Sequence, residues 1–190
     1  MKLEVIKFDH FGRGIAYDNE KVLFINKALP SEIVNVEVVK NNKNYCEAEI
    51  TNVIKESSSR ITPICPYYDK CGGCNLLHMT YDKEKEFKVN KAKELLGKCD
   101  DFYETLDLNY RNKVTLHVIN NEIGLYEEKT NKVIPVNYCY LLNENINRVI
   151  KDLHDTMLNN IKTVIIKSHM DKIMVYFDNK VNHEIMHKLN

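Results

Sequence analysis

Cysteine is the residue type in this chain whose spacing points most directly at chemistry. Five residues separate Cys65 from Cys71, and two separate Cys71 from Cys74. The last gap is Gly72-Gly73. Two glycines let the backbone turn tightly enough for both thiolates to reach one centre, and their unobstructed N–H groups can donate to thiolate or sulfide sulfur. A C-x2-C pair with a third cysteine close by is rare by accident in a cytosolic chain, which favours one shared centre over unrelated thiols. Three thiolates are one short of what an all-cysteine zinc site or a cubane cluster usually takes.

The fourth ligand has to come from Cys46, Cys99 or Cys139. Cys46 sits in the alternating stretch around Tyr45-Cys46-Glu47-Ala48 and reads as a buried small hydrophobe. Cys99 follows Gly97-Lys98 at a helix end and reads as a loop residue. Cys139 lies at the junction of a strand and a helix, where the chain can return to the centre. The spacing matches neither the usual paired zinc pattern nor the ferredoxin patterns, so zinc and iron–sulfur stay open on spacing alone.

These cysteines need a scaffold. Residues 1–55 read as β structure, with candidate strands at 3–8, 14–17, 21–25, 33–39 and 45–54. Turn chemistry lies at Asp18-Asn19-Glu20 and Asn41-Asn42-Lys43-Asn44. Five short strands in so few residues suggest a small closed barrel of the OB type. Glu56-Ser57-Ser58-Ser59-Arg60 is the linker candidate. A helix is predicted over 80–97, capped by Thr80 and ended by Gly97. From Tyr110 the chain turns β again, with strands at 114–119, 122–126, 132–136, 163–167 and 172–177. An amphipathic helix is predicted over 143–159, with Ile146, Val149, Ile150, Leu153 and Met157 at helical spacing. A short helix begins at His183.

The chain has 190 residues, 44% of them hydrophobic, with 27 Lys/Arg against 27 Asp/Glu. Both signs are spread evenly, so no segment shows the basic surplus of a strong non-specific RNA binder. No apolar run is long enough to span a membrane, and charges interrupt the N-terminus, so it is no signal peptide. The expected compartment is the cytoplasm, where thiols serve metals or catalysis rather than a disulfide framework.

The stretch Cys65-Pro66-Tyr67-Tyr68-Asp69-Lys70-Cys71-Gly72-Gly73-Cys74-Asn75-Leu76-Leu77-His78 resembles the cluster motif of the RNA uracil-5 methyltransferases. Gly12-Arg13-Gly14-Ile15-Ala16 through Ala28-Leu29-Pro30-Ser31-Glu32 looks like that family's N-terminal TRAM domain, an OB-like RNA-binding barrel. Tyr110-Arg111-Asn112-Lys113 is similar to a signature of its central domain. Gly124-Leu125-Tyr126 with Ile134-Pro135-Val136-Asn137-Tyr138-Cys139 resembles the approach to its fourth cluster cysteine. The resemblance runs through the whole chain in order. It implies a 4Fe–4S cluster rather than zinc, on Cys65, Cys71, Cys74 and Cys139, and RNA (ribosomal or transfer) as partner. Leu77 departs from the glutamine usual at its position.

The resemblance further implies a fold. A β-barrel (OB-like TRAM domain, 1–58) is followed by an α+β central domain (59–190) that is incomplete at its end. The family's Rossmann-like methyltransferase domain, which binds S-adenosylmethionine, is expected to be absent. No G-x-G-x-x-G follows a strand, and neither Cys46 nor Cys99 stands in the motif of the family's attacking cysteine. The chain by itself is therefore expected to be non-catalytic, with S-adenosylmethionine confined to the missing domain or a separate subunit. A stand-alone RNA-binding or structural metal protein, and a redox or iron sensor, are the other readings. Candidate RNA contacts are Arg13, Arg111 and Lys113, although solvated strand-edge charges account equally well for the last two. Of Phe8, Phe11, Tyr17 and Phe24, at most one is expected to stack a base, the rest being core. His78 reads as a structural hydrogen-bonding residue before a RNA or cluster contact.

Overall fold

Alternation of apolar and polar residues builds the first sheet. In strand β5 (Ile33–Asn41) Val34 and Val36 point inward while Asn35 and Glu37 point out, and in β6 (Tyr45–Lys55) Cys46 and Ala48 are buried. The computed structural model describes residues 1–189. They divide into two compact units, residues 1–63 with 75–103 and residues 64–74 with 104 onward.

In the first unit β1 (Lys2–Glu4), β2 (Lys7–Phe8), β3 (Gly14–Asp18), β4 (Lys21–Ile25), β5 and β6 form one sheet in the order β1-β5-β6-β4-β3-β2. The single strand predicted over 3–8 is broken at Val5. The Val5 N–H donates to the Glu32 carbonyl, whereas the next N–H, of Ile6, donates to Ile15. One segment therefore serves both ends of the sheet, and the order closes on itself as a barrel. Its interior is aliphatic and small: Val5, Ala16, Leu23, Ile25, Ala28, Val34, Val36, Cys46 and Ala48. None of Phe8, Phe11, Tyr17 and Phe24 is buried, which reverses the expectation that most would be core. An interior lined by Ala16, Ala28 and Ala48 leaves no volume for a ring.

Helix α1 (Tyr81–Leu96) belongs to this unit. Gly97 ends it in the left-handed conformation, donating to the Lys93 carbonyl, as its sequence indicated. Thr80 precedes it but makes no side-chain capping bond.

In the second unit β7 (Lys113–Ile119), β8 (Glu122–Tyr126), β9 (Val133–Pro135), β10 (Thr163–His169) and β11 (Lys172–Phe177) form an antiparallel sheet in the order β11-β10-β7-β8-β9. Asn120 and Asn121, both left-handed, make the β7–β8 hairpin turn. Helix α2 (Glu144–His154) buries Ile146, Val149, Ile150 and Leu153 against Leu116, Val164 and Ile166. Asn143 caps it, accepting the Ile146 N–H. The helix ends before Met157, which is exposed rather than on the packed face. Helix α3 (His183–Lys188) adds Ile185 to the same core. Among the described residues no helix is long and apolar enough to cross a membrane.

Candidate functional site

The segment holding Cys65, Cys71 and Cys74 is a series of tight turns laid along the end of the β8–β9 hairpin. The Cys65 carbonyl accepts the Tyr68 N–H at 3.1 Å, and the Tyr67 carbonyl accepts those of Lys70 at 3.0 Å and Cys71 at 2.8 Å. Gly72 then donates to the Tyr126 carbonyl at 3.1 Å, and Glu128 donates back to Lys70 at 2.9 Å. Gly72 and Gly73 do not adopt a positive φ. The sequence argument for them as turn-makers is thus replaced by one of space. A Cβ on Gly72 would lie 3.2 Å from the Glu128 Cα, and one on Gly73 would lie 3.4 Å from the Cys71 sulfur. The other expectation holds in part, since the Gly73 N–H donates to Cys71 Sγ at 3.4 Å.

Cys139 reaches the same unit from the connection between β9 and α2. Asn147, buried on α2, fixes that connection. Its Oδ1 accepts the Cys139 N–H at 2.9 Å, and its Nδ2 donates to the carbonyls of Cys139 and Leu142, both at 3.1 Å. His154 Nε2 bonds the Val136 carbonyl at 3.0 Å, steadying the approach.

The four thiols lie in one another's electrostatic field. Burial pushes the Cys74 thiol up to about 12, the nearby Cys139 adds to this, and Arg111 opposes it. Burial likewise raises Cys71, with the Gly73 N–H opposing and Cys139 adding, and Cys65, which feels Cys139 and Cys71. Four thiolates gathered without a cation repel one another; a bound cation reverses the sign of that interaction. Among the described residues no three His, Cys, Asp or Glu side chains are grouped so as to hold a single metal ion.

The remaining candidates fall in different places. Cys46 is in the barrel core and Cys99 in the loop after α1. His78 is buried in the first unit beside Arg60 and Glu32, and burial pushes its imidazole down to about 4. Glu32 and Arg60 form a pair that sequence reading missed. Arg60 Nε and Nη2 donate to the two Glu32 carboxylate oxygens at 2.5 and 2.8 Å, and the Leu29 N–H donates to the same carboxylate at 2.9 Å. Arg13 lies over the Phe24 ring at 4.6 Å and the exposed Phe11 ring at 5.6 Å, with its Nε donating to Asp9 at 2.7 Å. Arg111 lies close enough to Cys71 and Cys74 to act on both thiols, a role its sequence position did not suggest. Lys113 is exposed at the start of β7.

Residues 1–51 match the TRAM domain family. The 23S rRNA (uracil(1939)-C(5))-methyltransferase RlmD of Shewanella halifaxensis is 31% identical over 80% of this chain and 38% of its own length. An RNA methyltransferase of Aquifex aeolicus is 34% identical over 84% of this chain and 42% of its own length. The RlmD of Aliivibrio salmonicida is 30% identical over 94% of this chain and 43% of its own. The crystal structure of the Pyrococcus abyssi tRNA (uracil-54, C5)-methyltransferase in complex with S-adenosyl-L-homocysteine has the same fold over 98% of this chain and 48% of that one, with a TM-score of 0.74 at 19% identity. The chain carries a TRAM domain and is homologous to RNA uracil-5 methyltransferases; it spans less than half the length of these curated relatives.

These findings correct two expectations. The fold was expected to lack the methyltransferase domain, and the chain to be non-catalytic. Nearly all of the chain instead aligns with RNA methyltransferases, and 98% of it shares the fold of a solved one. The reason for the error is that it rested on two absences, a G-x-G-x-x-G motif, which is neither necessary nor specific for cofactor binding, and a cysteine in the setting of the attacking one.

Proposed function

We propose that the protein carrying this chain is an S-adenosylmethionine-dependent methyltransferase of uracil carbon 5 in ribosomal or transfer RNA, and that Cys65, Cys71, Cys74 and Cys139 hold a 4Fe–4S cluster in it. The activity reading is carried by the homology to RNA uracil-5 methyltransferases, and the cluster reading is supported by four thiols from two distant stretches of sequence that fall in one folded unit and act on one another electrostatically. The donor set fits the group. A zinc ion would need all four sulfurs about 2.3 Å from one centre. In a cubane each cysteine takes its own iron, and four cysteine thiols are its usual donor set.

When bound, the cluster supplies four covalent ties and a cationic core for the thiolates. The chain's own residues do the rest of the positioning. Asn147 holds Cys139 in place, Gly73 directs an N–H at the Cys71 sulfur, and Arg111 offsets thiolate charge. In the barrel, Arg13 on Phe24 beside the exposed Phe11 offers a cation and a ring for phosphate and base.

The test is purification without oxygen, followed by iron, sulfide and zinc analysis and incubation with labelled S-adenosylmethionine and unmodified ribosomal and transfer RNA. About four irons with equal sulfide, and label on uracil carbon 5, are expected. Stoichiometric zinc without sulfide would overturn the cluster assignment, and no label in either RNA would overturn the activity.

A further inference from the structure

Strand alternation sends every second side chain of the five-stranded sheet to the side away from α2. The buried set Val114, Leu116, Val164 and Ile166 packs on the helix, so their neighbours in register share the other face. Cross-strand pairing puts Lys113, Lys167 and Met174 in one row, and Thr115, Ile165 and Tyr176 in the next, about 7 Å away. One row further, His117 of β7 stacks on Tyr126 of β8, with ring centroids 3.7 Å apart and 14° between planes. Tyr176 is 54% exposed, Met174 50% and Tyr126 38%, so the face is open to an occupant.

We infer that this open face is a platform for single-stranded RNA, with phosphates at the lysine end and bases on the rings. The inference rests on the RNA-modifying reading above and deepens it by naming where the strand lies. Charge is the first argument. The chain as a whole is balanced, 27 against 27. On this sheet, however, Lys113, Lys167 and Lys172 line one concavity of about 450 Å3 together with His169, and no carboxylate is in its wall. None of the three lysines has an ion-pair partner among the described residues, whereas Lys83, Lys85 and Lys88 of α1 are each paired with an acid.

The chemistry of the neighbours is the second argument. An apolar protein surface seated here would strip water from three unpaired ammonium groups, a cost nothing on the face offsets. A polyanion with flat apolar groups uses both features, the lysines through counterion release and the rings through stacking. A duplex hides its bases from such a surface, so the strand must be single.

The test uses the purified protein and fluorescent single-stranded fragments of unmodified ribosomal and transfer RNA, titrated over a range of salt. Lys113→Glu with Lys167→Glu should weaken binding at least tenfold at low salt. It should also cut the slope of log affinity against log salt by about 1.4, or about 0.7 for each phosphate contact on a single strand. Tyr176→Ala should weaken binding about tenfold. Lys83→Glu with Lys88→Glu, on α1, should change neither. In the unaltered protein, 4-thiouridine crosslinks should map to Tyr126 and Tyr176, which keeps the test open should a sheet variant fold poorly. Unchanged affinity and slope in the sheet variants, with binding lost in Arg13→Glu, would overturn this platform and leave the RNA reading standing. Protection of Tyr176 by another protein segment in the absence of RNA would overturn it as well. Failure of the unaltered protein to bind any of these RNAs would bring down both.

Discussion

Asn147 grips Cys139 on both sides of its Cα, accepting its N–H at 2.9 Å and donating to its carbonyl at 3.1 Å. The same amide reaches the Leu142 carbonyl at 3.1 Å, so one buried side chain satisfies three backbone groups in the turn that presents the cysteine. Truncation in Asn147→Ala removes three hydrogen bonds and leaves the Cys139 N–H without a partner, while the Cys139 carbonyl keeps the Leu142 N–H, at a cost of about 1–3 kcal/mol. The turn should loosen, and the protein purified without oxygen should hold clearly less iron than the unaltered one. A full complement of iron and an unchanged denaturation midpoint would show that Asn147 does not position Cys139.

The ligand assignment separates the six cysteines sharply. Cys139→Ser should lose most of the iron, because its thiol is the one member of the set contributed from beyond the 65–74 loop. Cys46→Ser and Cys99→Ser should retain it. Cys46→Ser should still lower stability, since it places a hydroxyl in the barrel core, where the sulfur now sits beside the Asn41 amide oxygen at 3.4 Å. Iron content, and the visible absorption expected of the proposed cluster, decide between the variants. Full iron in Cys139→Ser would move the fourth ligand elsewhere.

What could be read in advance was local, and what was missed depends on contacts between distant residues. The alternation of Val34 and Val36 with Asn35 and Glu37, the Asn120-Asn121 hairpin and the helical face of Ile146, Val149, Ile150 and Leu153 are all written in neighbouring residues. The break at Val5 is not, because it depends on Glu32 and Ile15 competing for one segment. The aromatics of the barrel were misplaced because ring burial depends on the volume left by Ala16, Ala28 and Ala48. Asn147 reads in sequence as one more polar helix position, and Arg111 as a candidate RNA contact or a solvated strand-edge charge. Only the fold puts the first against Cys139 and the second near Cys71 and Cys74.

Acid should destabilise the first unit in two stages. Burial and the charge of Arg60 push the His78 imidazole down to about 4 in the folded chain, Glu32 opposing, from an ordinary value of 6.5. Between these values the unfolded chain binds more protons, so stability falls as pH drops from about 6.5 to about 4, by an amount on the order of 3 kcal/mol. Burial also works against the Glu32 carboxylate, but hydrogen bonds from Arg60, Leu29 and Ser57 and the Arg60 charge outweigh it, leaving the carboxyl below its ordinary range. Its contribution is present above its unfolded value and disappears as pH falls through its folded one, which is the second stage. Denaturant titrations across this range should show the first stage flattened in His78→Gln. A protein equally stable at pH 7 and pH 4.5 would contradict the placement of His78.

Two glycines with opposite problems give a matched test of backbone fit. Gly124 lies in β8 with no room beside it: a Cβ there would stand 1.8 Å from the Ile134 carbonyl oxygen and 3.0 Å from the Pro135 Cα. Gly124→Ala must push β9 away, because the obstacle is backbone that cannot rotate aside, and the cost should exceed the roughly 1–3 kcal/mol typical of overpacking. Gly97 has the reverse situation, open space but a φ of +79°. Gly97→Ala should cost only about 1 kcal/mol, from the strained left-handed conformation at the end of α1. The functional consequences should differ too. Strand β9 leads into the connection that carries Cys139, so Gly124→Ala should reduce bound iron, while Gly97→Ala should leave it at the unaltered level. Thermal melts, hydrogen exchange of the β8–β9 amides and iron analysis of the two variants check this together. Equal, small losses of stability in both, with full iron, would mean that the β8–β9 pairing does not govern the position of Cys139.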